Sequence, residues 1–408
     1  MSDAAEMFTA GIRDSDGRWP APPRTWSYSS LRDATECPRR WMLRRATYPG
    51  LWDQRGYPPR PGIMPLAGDI VHGAVEDVLN ALRSHGCASS ADPAAVAVLK
   101  GLGGYTGLVE QGIDKVLAAL AGNPRATGKT AALKAALQVK VPEMRQRVQS
   151  IITRTPVSLV GEDLSPASPA ARGPLPAGSY PEAVLQAPDL RLAGRADLLT
   201  VTADGCEIAD YKTGTPDPHH ADQVRLYALI WSRDTTLNPA GLPARRLVLA
   251  YASHDEEIEP PSAGDLDALA VAATAQIQAA ETALRHRPPP ARPSTANCGL
   301  CEVRQLCGDY WVFLAGSPAG AVQPQGWFDF EGTAIRQNGP RSWVLADQSD
   351  GSELLLRTLG EDVPFTAGDT LRILSLQRSD GPDSPMPTVT MTRLSEIFVM
   401  HSPAQGQR

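Results

Sequence analysis

The spacing of apolar positions changes along the chain, and each change predicts a different element. Hydroxyl residues Ser27, Ser29 and Ser30 open a helix that reads through Cys37 to about Arg45, followed by a Pro/Gly-rich loop from Tyr48 to Pro65. From Gly68 onward Val71, Ala74, Val75, Val78, Leu79 and Leu82 recur at helical spacing, the pattern of an amphipathic helix. Residues 90–155 are rich in Ala, Leu and Lys and read as an inserted helical lobe. After a Ser/Pro/Ala/Gly stretch at 161–179 the pattern turns to strands at Ala183–Gln186, Leu190–Val201 and Glu207–Tyr211. Ala203-Asp204-Gly205 makes a hairpin turn between the last two. A helix from about His220 to Ser232, a buried strand Arg246–Tyr251 and a long helix Ala263–Arg285 follow, and Pro288-Pro289-Pro290 stops the last.

Beyond a linker at 315–324, the chain from Trp327 to Met400 is patterned as strands. These are Phe328–Arg336, Ser342–Asp347, Glu353–Leu359, Thr370–Gln377 and Thr388–Met400, enough for a small barrel. The expected organisation is α/β: a flexible arm at 1–24, a main domain at 25–314 and a small β-barrel at 325–400.

Composition narrows the class. The 408 residues are 42% hydrophobic and carry a formal net charge of −6. No apolar run is long enough to span a membrane, and an acidic total argues against a general polyanion binder. The first twenty residues contain Asp3, Glu6, Asp14 and Asp16 and lack the features of a secretory signal, so the expected location is cytoplasmic, with reduced thiols. Charge is unevenly placed. Eight arginines between Arg24 and Arg60 face three acids, whereas the segment from Gln325 onward has seven arginines and eleven acids. The first cluster reads either as a solvated helix face or as a set of phosphate contacts.

Two segments concentrate the chemistry: Gly194-Arg195-Ala196-Asp197 and Asp210-Tyr211-Lys212-Thr213-Gly214. Residues i and i+2 of a strand share a face, so Asp210 and Lys212 point the same way, and hairpin pairing can bring Asp197 beside them. Two carboxylates and an ammonium suit a divalent cation and a water bound to it. The acids are hard oxygen ligands, and Lys212 can orient the attacking water or steady developing phosphorane charge. A surface salt bridge is the bland alternative. Only six of the 39 basic residues are Lys, and Lys212 is the only one after residue 140.

These motifs resemble the PD-(D/E)XK nucleases, and specifically their RecB-like branch, over residues 25–312. The resemblance implies a restriction-endonuclease-like mixed sheet flanked by helices, and Mg²⁺- or Mn²⁺-dependent cleavage of DNA phosphodiesters. It places the metal at His72, Asp197, Asp210 and Tyr211, with Glu182 as an upstream acid. Gln223 and Tyr227 match a Q-x-x-x-Y motif whose i,i+4 spacing puts amide and phenol on one helical face, where they could brace Lys212. Glu76 shares the face of His72.

Cys298, Cys301 and Cys307 form C-x₂-C-x₅-C, and Cys37 stands in Cys-Pro-Arg far upstream. Four thiolates suit either a [4Fe–4S] cluster or zinc. The layout resembles the iron–sulfur staple of AddB and of CRISPR-associated RecB-like exonucleases, which implies [4Fe–4S], zinc being the alternative. Cys87 and Cys206 fall outside the pattern. Gly122 to Thr130 imitates a phosphate loop but has five residues between its glycines, where that motif has four.

The terminal strands resemble an OB-fold, with Trp327, Phe328, Phe330 and Trp343 as candidate base-stacking groups. The function expected is an exonuclease on single-stranded or end-containing DNA, in repair, recombination or phage defence. A helicase or other DNA-processing protein is its expected partner. The competing reading is a non-catalytic DNA-binding scaffold subunit.

Overall fold

A computed structural model describes residues 19–48, 50–155, 157, 172–251, 253–317, 326–379 and 386–400. Most of the expected arm at 1–24, the stretch 161–171 and the linker residues 318–324 lie outside the described residues. The chain forms two compact units, one of residues 23–32 and 60–279, the other of described residues within 1–22, 33–59 and 280–408.

The first unit is built on a five-stranded sheet in the order β1 (Gly178–Ala187), β2 (Leu192–Val201), β3 (Cys206–Lys212), β4 (Ala244–Tyr251) and β5 (Asp255–Ile258). Strands β1 to β3 form an antiparallel meander, β3 and β4 run parallel, and β5 returns antiparallel. The parallel step needs a crossover, supplied by the helix Pro218–Arg233, which Asp217 caps by accepting from the His219 N–H at 2.9 Å. That helix buries Val224, Tyr227, Leu229, Ile230 and Trp231. Leu198, Ala209, Tyr211, Val248 and Ala250 of the sheet share one apolar core with residues of the helices Ile63–Ser84, Gly104–Ala119 and Val141–Arg154. The helical lobe expected at 90–155 is thus present, and the sheet is mixed with helices packed on it.

Three expectations are corrected. The helix read from Ser27 to Arg45 is two helices, Tyr28–Glu36 and Pro38–Arg45, because Cys37 is extended and Pro38 takes the first helical position, where its missing N–H costs nothing. The helix read from Gly68 begins at Ile63; Pro65 fits its first turn. Strand β5 was not foreseen, since its Asp255-Glu256-Glu257 segment is exposed and carries no apolar period.

The second unit contains a six-stranded sheet ordered β10 (Thr388–Thr390), β8 (Glu353–Arg357), β7 (Ser342–Asp347), β6 (Trp327–Gly339), β9 (Thr370–Arg378) and β11 (Glu396–Met400). Strand β10 pairs parallel to β8 and antiparallel to β9, so five strands close a circuit. The single strand expected over Thr388–Met400 is in fact β10 and β11. Phe330 and Trp343 are buried in this unit's core, which removes them as base-stacking candidates.

A buried ion pair fixes this sheet to the cysteine segment. Arg304 Nε donates to Asp329 Oδ2 at 2.5 Å and Nη2 to Oδ1 at 3.3 Å. Tyr310 Oη donates to Oδ2 at 2.7 Å, and the Ser375 N–H donates to Oδ1 at 2.8 Å. The Arg304 and Asp329 side chains are 6% and 0% exposed.

Much of the arginine cluster is engaged inside this unit. Arg40 pairs with Asp33 and Glu36, and Arg45 with Asp33. Arg44 reaches Glu302, and Arg39 donates to the Pro289 carbonyl at 2.7 Å and pairs with Asp309. The phosphate-contact reading of these four is therefore not retained.

Candidate active site

The β2–β3 ladder ends at the pair Leu198–Ala209, which leaves Asp197 and Asp210 at the next opposed position. The Asp197 carboxylate there accepts the Tyr211 backbone N–H at 2.6 Å. Alternation along β3 sends Asp210 and Lys212 one way and the Tyr211 phenol the other, into the apolar core. Tyr211 thus contributes its N–H as a brace for Asp197. On the neighbouring strand Glu182 stands opposite Asp197, between the pairs Pro181–Leu198 and Ala183–Ala196. Glu182 has φ 53°, a left-handed conformation that non-glycine residues rarely take. The two acids are thus cross-strand neighbours, and their carboxylates come close together.

His72, from the helix Ile63–Ser84, completes the group. Its Nδ1 lies 3.5 Å from Asp197 Oδ1, and ligating atoms of His72, Glu182 and Asp197 all fall within 4.8 Å of one another. They line a cavity of about 510 Å³ together with Asp69, Glu76 and Thr213. Burial opposes a charge on His72, but the hydrogen bond and charge of Asp197, then Asp210 and Glu182, outweigh it and raise its pKa to about 9. Burial and the Asp197 charge push Asp210 up to about 6 against the pull of Lys212. Burial, with repulsion from Asp197 and Glu76, raises Glu182. The site is an acid cluster whose charges are incompletely balanced.

Lys212 is held at the rim of this cluster. It pairs with Asp210 and donates to Gln223 Oε1 at 2.9 Å, while Gln223 Nε2 donates to Tyr227 Oη at 2.7 Å. The Tyr227 ring lies over Gly194, where a Cβ would stand 2.6 Å from a ring carbon. The glycine of the first motif therefore admits the tyrosine of the third.

The profile of the PD-(D/E)XK nuclease superfamily matches residues 25–308, more than half of the chain. The chain belongs to the PD-(D/E)XK nuclease superfamily. Its membership implies a metal-dependent nuclease acting on DNA, and the donor set of one imidazole and several carboxylates fits a hard divalent cation. No curated protein matches the chain. Among solved structures, the crystal structure of the tetrameric p202 HIN2 matches at 19% identity and TM-score 0.16, over 18% of this chain and 42% of that chain. That stretch is less than half of the other chain, and a likeness this low carries no argument. Among the described residues no helix is long and apolar enough to cross a membrane.

The cysteines form a separate group. Cys37, Cys298, Cys301 and Cys307 are buried free thiols that line one small cavity with Arg39, Arg40, Arg292 and Arg304. Cys37 sits at the break between its two helices, directly before Pro38. Cys87 and Cys206 are also buried and free and do not line that cavity.

Sequence reasoning overlooked Asp69 and Thr213 on the cavity wall. Asp69 lies three residues before His72 on one helix, so the i,i+3 rule was the available signal. The helix expected from about His220 begins at Pro218, so His219 and His220 both lie in its first turn.

Proposed function

We propose that the chain is a RecB-like deoxyribonuclease that hydrolyses phosphodiesters in single-stranded or end-containing DNA, by exonucleolytic action in DNA repair or phage defence. The observation that carries this reading is the convergence of His72, Glu182 and Asp197 beside a Lys212 immobilised by Gln223.

His72, Glu182, Asp197 and Asp210 would hold Mg²⁺ or Mn²⁺, which supplies a Lewis acid and lowers the pKa of a bound water. Asp197 is fixed for this role by the Tyr211 N–H. Lys212, a compact cation with three donors, is directed by Gln223 and Tyr227 and opposes the negative charge that accumulates on phosphorus oxygens during attack.

Labelled single strands incubated with Mn²⁺ provide the test. Lys212→Ala should lower kcat about 10²- to 10³-fold, the cost of losing one preorganised charge stabiliser. Equal cleavage by wild type and variant would leave only the scaffold role.

The cysteine group is read as a [4Fe–4S] staple. Four buried thiols around one cavity, three at C-x₂-C-x₅-C spacing and one far upstream, support a multi-iron cluster, and the flanking guanidiniums suit its negative charge. A brown anaerobic preparation, bleached by Cys301→Ser, is expected; a colourless protein that carries zinc would refute it. The closed circuit β6–β7–β8–β10–β9 supports an OB-like barrel, whose role with the buried Asp329 latch is to dock on the cysteine segment.

A further inference from the structure

The carboxyl ends of the parallel strands β3 and β4 lie side by side, with Lys212 and Tyr251 as register partners, about 4.8 Å apart between backbones. The β4–β5 hairpin turns immediately after Tyr251 and is closed by the Tyr251 N–H donating to the His254 carbonyl at 2.9 Å. Across this turn the His254 ring stacks on the Tyr251 ring, with centroids 5.1 Å apart and planes at 19°. Tyr251 is buried at 4% exposure, whereas His254 is exposed. The imidazole therefore rests on a fixed phenol and turns its outer face to solvent.

A second contact fixes the platform from the other side. His220 Nδ1 lies 3.0 Å from Tyr251 Oη, and His220 belongs to the helix that also carries Gln223 and Tyr227. Charges of both signs surround it: Lys212 and Arg32 act electrostatically on His220, balanced by Asp217 and Glu256. A flat, exposed ring on the strand beside the one that carries Lys212 offers what a single nucleic-acid strand requires of a base subsite, a π-face for an unstacked base, with Lys212 and Arg32 as nearby cations. Bases paired in a duplex are stacked on each other and cannot use such a face without being unstacked.

We propose that the Tyr251–His254 stack, braced by His220, is a nucleobase subsite that seats an unpaired base beside the scissile phosphate and so selects single-stranded over duplex DNA. This rests on the nuclease reading, and its test is separable from that reading. The full-length protein is titrated in metal-free buffer into single strands carrying 2-aminopurine, and fluorescence quenching and anisotropy are recorded. His254→Ala is expected to weaken single-strand binding about tenfold and to reduce the quenching, since one base–aromatic contact is removed. His254→Phe is expected to restore both, because it keeps the ring and discards the polar atoms. In cleavage assays with Mn²⁺, KM for single strands should rise by the same factor in His254→Ala and return in His254→Phe.

Unchanged quenching and affinity in His254→Ala would overturn the subsite, as would a loss that Phe fails to rescue. If wild type cleaves no DNA but quenches 2-aminopurine in a His254-dependent way, the hydrolytic reading fails while the subsite stands. If cleavage depends on Lys212 while quenching ignores His254, the subsite fails while the nuclease stands.

Discussion

Replacing Asp329 by Ala tests whether the cysteine segment and the terminal sheet are one cooperative structure. The carboxylate accepts from Arg304 twice, from Tyr310 and from the Ser375 N–H, with neither charged partner appreciably exposed. Its removal leaves a guanidinium buried without this counter-charge and takes one acceptor from Tyr310 and one from the Ser375 N–H. Breaking a buried pair in this way costs about 3–5 kcal/mol, and orphaned neutral donors add to the cost. A loss of about 4 kcal/mol is a large share of the 5–15 kcal/mol typical of a domain. For a unit of this size it corresponds to a fall of about 10 °C in Tm.

Urea denaturation of the anaerobic full-length protein, followed by Trp fluorescence, measures the loss. The paired variant Arg304→Met with Asp329→Asn removes both charges and keeps an acceptor for Tyr310 and Ser375. It should recover most of the stability, because the charges contribute little beyond their mutual need. A loss below about 1 kcal/mol in Asp329→Ala would refute the buried-pair reasoning. So would a double variant as unstable as the single one.

Mn²⁺ affinity should rise with pH. His72 holds its proton up to about 9 in the metal-free protein, and a ligand must be neutral. The apparent Kd should therefore fall about tenfold per pH unit from 7 to 9 and level off above, as read by EPR of free Mn²⁺; a flat profile would remove His72 from the ligand set. Gly194→Ala places a methyl against the Tyr227 ring, and a shift of about 1 Å relayed to Lys212 should lower kcat about 10²-fold with Mn²⁺ affinity unchanged. Steady-state kinetics with a normal kcat would show that the ring does not position Lys212. Saturating Mg²⁺ at 100 Kd should stabilise the fold by about 2.7 kcal/mol, and calorimetry of Glu182→Gln should show a smaller gain.

Parity along β3 made Asp210 and Lys212 legible, because i,i+2 alternation is a local property that no tertiary contact alters. The lysine distribution sharpened the same signal. Three cysteines at short spacing left one position open, and Cys37, across a long gap, lines the same cavity. Glu182 was recognised as an acid near the site, but its place opposite Asp197 was not, because that depends on the pairing of β1 with β2. Pro38 was ambiguous for a related reason: the same residue interrupts one helix or begins another, and only the partners of Cys37 decide. The arginines of 39–45 misled through their sum. A net charge counts residues, whereas the acids and carbonyls that absorb them lie elsewhere in sequence, at Asp33, Glu302, Asp309 and Pro289. Barrel aromatics failed as a signal because the same residues that stack on bases also fill small cores.

The acid cluster is held together against its own chemistry. Glu182 adopts a backbone conformation that costs on the order of 1–3 kcal/mol, and its carboxyl is driven upward in pKa by burial, Asp197 and Glu76. Asp210 is raised as well, although Lys212 touches it. A hairpin that served only stability would relax Glu182 into the regular ladder and let the acids separate toward water. Instead the fold uses a left-handed backbone position at Glu182, a helix-borne histidine and a backbone N–H to press oxygen and nitrogen donors toward one point. On the proposed nuclease reading, a divalent cation held by these donors would relieve the repulsion among the acids, and Lys212, already paired with Asp210, would be placed to turn toward the phosphate.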